Sequence, residues 1–286
     1  MSSAIVLNNQ QQSAYDGIMK YLSFDLRSEH KFYVLSGWAG TGKTFLLGQL
    51  NAHLDRYGSV FTAPTNKATK VTSRTIGQGA TCKTIYSLLG IKMAADEDRL
   101  VLEFPKVPVD LSGYSRIFVD EASMISEQLM KYIIERSRWY ATKWIFIGDK
   151  GQIPPVGETE SMVWGLDCPK SHLEKVERYD NEILEFATHI RKQIQRYPNV
   201  NLRVRNNHGD TEGVWKYNRG KFMHNVERAA KKGLFTEVDN TKVIAWRNKT
   251  VQSVNEFIRY AIFGKAADKS PWLPGCLLYT SDAADE

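Results

Sequence analysis

Cysteine is scarce in this 286-residue chain: Cys82, Cys168 and Cys276 stand far apart and no CxxC pair occurs. That excludes a disulfide framework and a thiolate zinc site. The six histidines are scattered and suggest no ligand cluster. No apolar run approaches the roughly 18 residues that a membrane helix requires. The first residues, Met1-Ser2-Ser3-Ala4-Ile5-Val6-Leu7, lack the basic start of a secretory signal, so the cytosol is the expected location and no membrane partner is expected. Internal repeats and low-complexity tracts are absent too. Hydrophobic residues make up 42% of the chain and charged residues 24%, which is globular composition. The length suits one large domain or two ordinary ones.

Acidic residues are the minority charge. The net charge is +6 and the sequence pI is near 9.0, which suits a polyanionic partner. The excess is concentrated: Arg191, Lys192, Arg196, Arg203, Arg205, Lys216, Arg219, Lys221, Arg228, Lys231 and Lys232 face only Asp210, Glu212 and Glu227. Charge alone leaves two readings open, a solvated basic face or a nucleic-acid track.

Short apolar runs rich in β-formers recur, each followed by a loop and a helical stretch: Phe32–Leu35, Ser59–Thr62, Ile117–Val119, Trp144–Ile147 and Lys242–Trp246. This alternation predicts an α/β fold, a parallel sheet flanked by helices. An opening helix after Asn8 carries Ala14, Tyr15, Ile18, Met19 and Leu22 at helical spacing, and a second spans Gln128–Trp139. Lys92–Gly113 breaks the pattern, acidic at first, then apolar, then interrupted by Pro105 and Pro108. It reads as a small inserted β-hairpin at about 92–113. A domain change is expected at 176/177, where the helical and basic stretch begins.

Gly37-Trp38-Ala39-Gly40-Thr41-Gly42-Lys43-Thr44 fits GxxxxGK[ST] between a predicted strand and a predicted helix. In such a loop the backbone N–H groups curl around phosphate oxygens and the helix N-terminus adds its positive end. Gly37, Ala39, Gly40, Thr41, Gly42, Lys43 and Thr44 are therefore candidate ATP-binding residues. Lys43 is expected to reach the β- and γ-phosphates and the Thr44 hydroxyl to ligate Mg2+. Ile117-Phe118-Val119-Asp120-Glu121 is an apolar strand ending in two carboxylates. Asp120 would hold Mg2+, and Glu121 would orient or deprotonate the attacking water. Ile145-Phe146-Ile147 leads into Gly148-Asp149-Lys150-Gly151-Gln152-Ile153-Pro154-Pro155-Val156. Parallel strands would bring Asp149 and Gln152 to the P-loop's edge, where Gln152 would sense the γ-phosphate; the competing reading is a proline-rich turn without a catalytic role.

Together these strings resemble superfamily 1 DNA helicases of the 5′-to-3′ branch, and among them the phage-type Dda helicases, which are related to RecD. Leu7–Ala14 is similar to the Q motif, with Gln11 as the adenine-reading glutamine, and Gly37–Thr44 to motif I. Ala63-Pro64-Thr65-Asn66-Lys67-Ala68 is similar to motif Ia, Asp120–Met124 to motif II and Gly148–Val156 to motif III. Leu173-Glu174-Lys175-Val176-Glu177-Arg178 resembles motif IV, which implies that Arg178 approaches the γ-phosphate. Ala245–Val251 resembles a strand and turn in which Asn248 faces DNA. The resemblance implies RecA-like P-loop domains, ATP and Mg2+ as cofactors, and single-stranded DNA and duplex junctions as partners. It implies that Pro64, Thr65, Lys67 and Thr84 hold DNA phosphates, and that replication or recombination proteins are further partners. The implied setting is the cytosol of a bacterium or of a phage-infected host.

Thr84-Ile85-Tyr86-Ser87-Leu88-Leu89 departs from motif Ib, with Tyr86 where the family has histidine. Leu102 or Phe104 is either a duplex-splitting tip or hairpin packing, and Trp246 either a base-stacking residue or a buried strand residue. Motifs V and VI are not found, and the likeness stops near Gly275. Residues 177–275 therefore read as the start of a second, incomplete RecA-like domain and 276–286 as a non-native tail. A chain so truncated is expected to hydrolyse ATP weakly. The alternatives are another P-loop ATPase, clamp-loader-like, or a non-catalytic module binding nucleotide and single-stranded DNA. Oligomeric state, polarity and pathway are not fixed by the residues.

Overall fold

The computed structural model describes residues 7–23, 30–54, 58–77, 79–96, 99–177, 182–194, 205–207, 212–235, 241–245, 247–270 and 273. The chain divides into two compact units, Met1–Val200 and Asn201–Glu286.

In the first unit the strands are β1 (Phe32–Gly37), β2 (Ser59–Ala63), β3 (Thr81–Thr84), β4 (Lys92–Asp96), β5 (Arg99–Glu103), β6 (Arg116–Val119), β7 (Lys143–Gly148) and β8 (Lys170–Leu173). Its helices are α1 (Asn9–Ser23), α2 (Lys43–His53), α3 (Asn66–Ile76), α4 (Ile85–Leu89), α5 (Glu127–Ser137) and α6 (Glu182–Ile194). Six strands form one sheet in the order β3-β2-β6-β7-β1-β8. Every pairing in it is parallel, with Phe32 opposite Trp144, Val34 opposite Lys170 and Ser59 opposite Arg116. The C-terminal ends of all six strands therefore lie along one edge, the place where open α/β sheets carry their ligands.

Alternation along the strands divides the core in two. Val34, Val60, Ile117, Val119, Trp144 and Phe146 point into one buried cluster with α4 and α5. Tyr33, Leu35, Phe61, Phe118, Ile145 and Ile147 point into the other with α1, α2 and α3. A sheet buried on both faces needs near-continuous apolar strands, which is why β1, β2, β6 and β7 are legible as sequence. In the second cluster Phe61 stacks on Phe118 with ring centroids 4.6 Å apart. Lys143 opens β7 fully buried and donates its ammonium to the carbonyls of Tyr21 (2.6 Å) and Leu22 (3.5 Å). It thus supplies a cation to the C-terminal end of α1.

The insertion is an antiparallel hairpin of β4 and β5, with Lys92 opposite Glu103. Leu102 and Phe104 pack against the first core cluster, and Phe104 meets Tyr132 with centroids 4.7 Å apart. Of the two readings of these side chains, packing is the one the structure supports. α6 belongs to the first unit although it follows the boundary expected at 176/177.

In the second unit, β9 (Arg205–Asn207) and β10 (Glu212–Val214) form an antiparallel pair, and α7 (Arg219–Lys231) packs with α8 (Asn248–Phe263). The expected strand at Lys242–Trp246 does not form: Lys242–Ala245 has no regular structure and Ile244 is 92% exposed. Among the described residues no neighbouring strand offers it a ladder, and without one an apolar run has no reason to become a strand. Trp246 and the tail 276–286 lie outside the described residues. Among the described residues no helix is long and apolar enough to cross a membrane.

Candidate functional site

Among the described residues, side chains close the N-termini of four helices, whereas α2 at the P-loop and α8 have no such cap. Thr65 caps α3, Thr84 caps α4, Ser126 caps α5 and Asn218 caps α7. α2 starts after Gly42, which makes no side-chain cap, so its first N–H groups remain open to an anion. Gly42 takes φ +82°, where a side chain is strained, and a Cβ there would sit 2.5 Å from Gln11 Nε2 and push that amide off the P-loop. Lys43 donates to its own loop, to Gly37 O (2.8 Å) and Trp38 O (2.9 Å). Burial holds its ammonium below the usual lysine range, against the opposing pull of Asp149, Asp120 and Glu121.

Gln11 is 5% exposed and donates to Thr41 O (3.0 Å), while its Oε1 accepts from Asn8 N (3.0 Å). Its amide thus braces the P-loop. The strand end of β8 does the same from the other side. Trp38 N donates to Leu173 O, Glu177 N donates to Gly40 O, and Gln10 Oε1 accepts from Glu174 N and Lys175 N.

Asp120 follows β6 at 6% exposure. Its Oδ2 accepts from the Thr44 hydroxyl (3.4 Å) and the Thr72 hydroxyl (3.2 Å), and its Oδ1 from Glu121 N (2.9 Å). Burial pushes its carboxyl above the ordinary range, with those hydrogen bonds and Lys43 pulling back. Glu121 is also pushed up, by burial first and by Asp120 second. Its φ of +52° is left-handed, unlike that of any other described residue except glycines. Such a conformation costs about 1 kcal/mol or more and recurs at functional sites. A buried carboxylate beside a hydroxyl, with a second carboxylate next to it, suits a hard cation that takes oxygen ligands. Among the described residues no group of three or more His, Cys, Asp or Glu could hold a metal without outside ligands.

β7 delivers Asp149 and the turn to Val156. Asp149 is 2% exposed and accepts from Ala39 N (2.9 Å) and Gly151 N (2.9 Å). Gln152 is exposed, and its Oε1 accepts from the Ser123 hydroxyl (3.2 Å) just beyond Glu121. The structure thus unites Gln11, Gly37, Ala39, Gly40, Thr41, Gly42, Lys43, Thr44, Asp120, Glu121 and Gln152 in one place.

The nucleic-acid candidates of this unit gather farther along the same edge. Pro64 and Thr65 directly follow β2, Thr84 ends β3, and Ala63 lies opposite Thr84 in the register. Pro64 is buried; Thr65 and Lys67 are exposed. Thr65 Oγ1 accepts from Ala68 N and Thr84 Oγ1 from Ser87 N, each at 3.1 Å. Asn248 is exposed at the start of α8 in the second unit. Arg178 lies outside the described residues.

Sequence reasoning missed Thr72, Ser123 and above all Arg191. Arg191 donates to both carboxylate oxygens of Asp149, at 3.3 and 2.8 Å. It sits in a run of cations whose spacing says nothing of a partner 42 residues away.

A family model described as an AAA domain matches residues 6–228. The ATP-dependent DNA helicase dda of Enterobacteria phage T4 is 30% identical over 269 residues, covering 90% of this chain and 57% of that protein. An uncharacterized protein of Acanthamoeba polyphaga mimivirus is 23% identical over 284 residues, covering 89% and 56%. The chain therefore spans a little over half the length of these curated relatives. The solved Pif1 helicase from Bacteroides in complex with ADP-AlF3 and ssDNA shares the fold with a TM-score of 0.53 at 20% identity, over 88% of this chain and 56% of that one. The P-loop, the paired carboxylates and the turn after β7 thus fall within the matched span, and the chain belongs to the AAA-domain family.

Proposed function

We propose that the whole protein is an ATP-dependent DNA helicase, a single-stranded DNA translocase moving 5′ to 3′ in the cytosol, of which this chain carries the nucleotide site. The observation that supports it most is the uncapped start of α2 beside buried Asp120 and strained Glu121 on one sheet edge. The open N–H groups and Lys43 would hold the triphosphate. Thr44 and Asp120 would hold Mg2+, which when bound neutralises phosphate charge. Glu121, whose carboxylate is made more basic by burial and by Asp120, is the general base that orients water and accepts its proton. Gln152 reads the γ-phosphate from its contact with Ser123. Arg178 stabilises charge developing in the transition state; in support, Glu177, one residue before it, is tied to Gly40. Adenine reading by Gln11 would replace one of its bonds to Thr41 or Asn8.

Pro64, Thr65, Lys67, Thr84 and Asn248 would contact the DNA backbone, which positions a strand without reading its sequence. The related phage protein is a DNA helicase by name, and the structural neighbour was solved with ssDNA. The test is unwinding of a 5′-tailed duplex by the whole protein with ATP. Wild type should separate the strands and Lys43→Ala should not; ATP turnover retained in Lys43→Ala would refute the P-loop assignment.

A further inference from the structure

Asp149 is a carboxylate placed where it ought to harm the nucleotide site. It is buried, its Oδ2 is bonded to the P-loop N–H of Ala39, and it is the largest single charge acting on Lys43. A free negative charge there would repel a triphosphate and compete with it for Lys43. Arg191 removes the conflict. From α6 it reaches both oxygens of Asp149 with its fork, at 3.3 and 2.8 Å, the bidentate geometry in which guanidinium and carboxylate match. Its guanidinium carbon stands 5.1 Å from the centroid of the Trp38 ring, so it covers the P-loop as well. A Cβ on Gly151 would lie 3.3 Å from Asp149 Oδ1 and 3.7 Å from Arg191 Cζ. The turn that carries Gln152 thus folds directly onto the pair.

With two backbone N–H groups and two guanidinium N–H groups, Asp149 has its acceptor positions filled. Among the described residues the Lys43 ammonium donates to neutral carbonyls, Gly37 O and Trp38 O, which a phosphate can displace. We propose that Arg191 is a positioning residue of the nucleotide site: by neutralising Asp149 on Ala39 N–H it reserves Lys43 for the phosphates and fixes the P-loop against the Gln152 turn. This rests on the reading of Gly37–Thr44 as a nucleotide site.

The test is equilibrium binding of Mg-ATP and Mg-ADP to the 286-residue chain, with thermal unfolding measured alongside. Arg191→Ala should weaken nucleotide binding by about tenfold or more, because truncation leaves a buried carboxylate unpaired. Asp149→Asn keeps an acceptor for Ala39 N–H and should bind within about threefold of wild type. The decisive variant is Arg191→Ala with Asp149→Asn, which should recover to the level of Asp149→Asn alone. Arg191→Lys, which keeps the charge without the fork, should fall between wild type and Arg191→Ala and guards against a fold lost in the alanine variant. If the double variant binds as weakly as Arg191→Ala, or Arg191→Ala binds like wild type while folded, the neutralising role is wrong. Nucleotide binding that survives Lys43→Ala would instead overturn the underlying P-loop reading.

Discussion

At the β6–β7–β1–β8 part of the sheet edge, Thr44, Asp120 and Asp149 are buried or half-buried and bonded to one another's loops. At the β2–β3 part, Thr65 and Lys67 stand in solvent, and Thr65 and Thr84 use their oxygens to cap their own helices. One edge of one sheet therefore carries two kinds of surface. A site that must hold a small polyanion in fixed geometry is built from long-range contacts and tolerates buried charge. A surface that must let a polymer slide keeps its contacts local and its cations wet. If that contrast is functional, the two parts should be separable by mutation.

The largest effect is expected from Lys43→Ala. ATP affinity should drop by about a hundredfold or more, since a charge-assisted contact to phosphate is lost. Binding of single-stranded DNA to the same chain, read by fluorescence anisotropy, should change less than about threefold; a parallel loss of both would join the two surfaces into one. Asp120→Asn comes next and has two opposite consequences. The folded carboxyl is raised above its unfolded value, so its contribution to stability is present below the unfolded pKa and disappears as pH rises through the folded one. Without metal, burial works against the ionised form of this group. Asp120→Asn should then melt about 2–4 °C higher and show a flatter stability–pH curve, while losing metal-dependent nucleotide binding; a lower melting point at pH 7 would contradict the burial argument. Lys67→Ala should have the smallest effect. On an exposed phosphate contact, the slope of log K against log salt for single-stranded DNA should fall by about 0.7, with ATP affinity unaltered. An unchanged slope would remove Lys67 from the track.

How far the sequence speaks depends on the range of the contacts involved. β1, β2, β6 and β7 are readable because both faces are buried and the strands are apolar throughout. β3, Thr81-Cys82-Lys83-Thr84, and β8, Lys170-Ser171-His172-Leu173, sit at the sheet's two edges and carry polar residues, so no apolar run marks them. Lys242–Trp246 shows the reverse error, since strand-like composition means little without a neighbour to pair with. In the site, Gly37–Thr44, Asp120 and Glu121 are legible because the phosphate chemistry demands those residue types in consecutive positions. Thr72 and Arg191 act across 48 and 42 residues, where spacing carries no signal.

Helix α1 has 15 residues, about 22 Å of rod. Near its start, Asn8, Gln10 and Gln11 grip the P-loop and the segment beyond β8; at its far end, Tyr21 and Leu22 are pinned by Lys143 at the opposite margin of the sheet. A strut clamped at both ends does not bend to absorb a push. Movement of Thr41 when phosphates enter would travel the length of the helix and load the beginning of β7, so the far side of the sheet would feel nucleotide that it never touches.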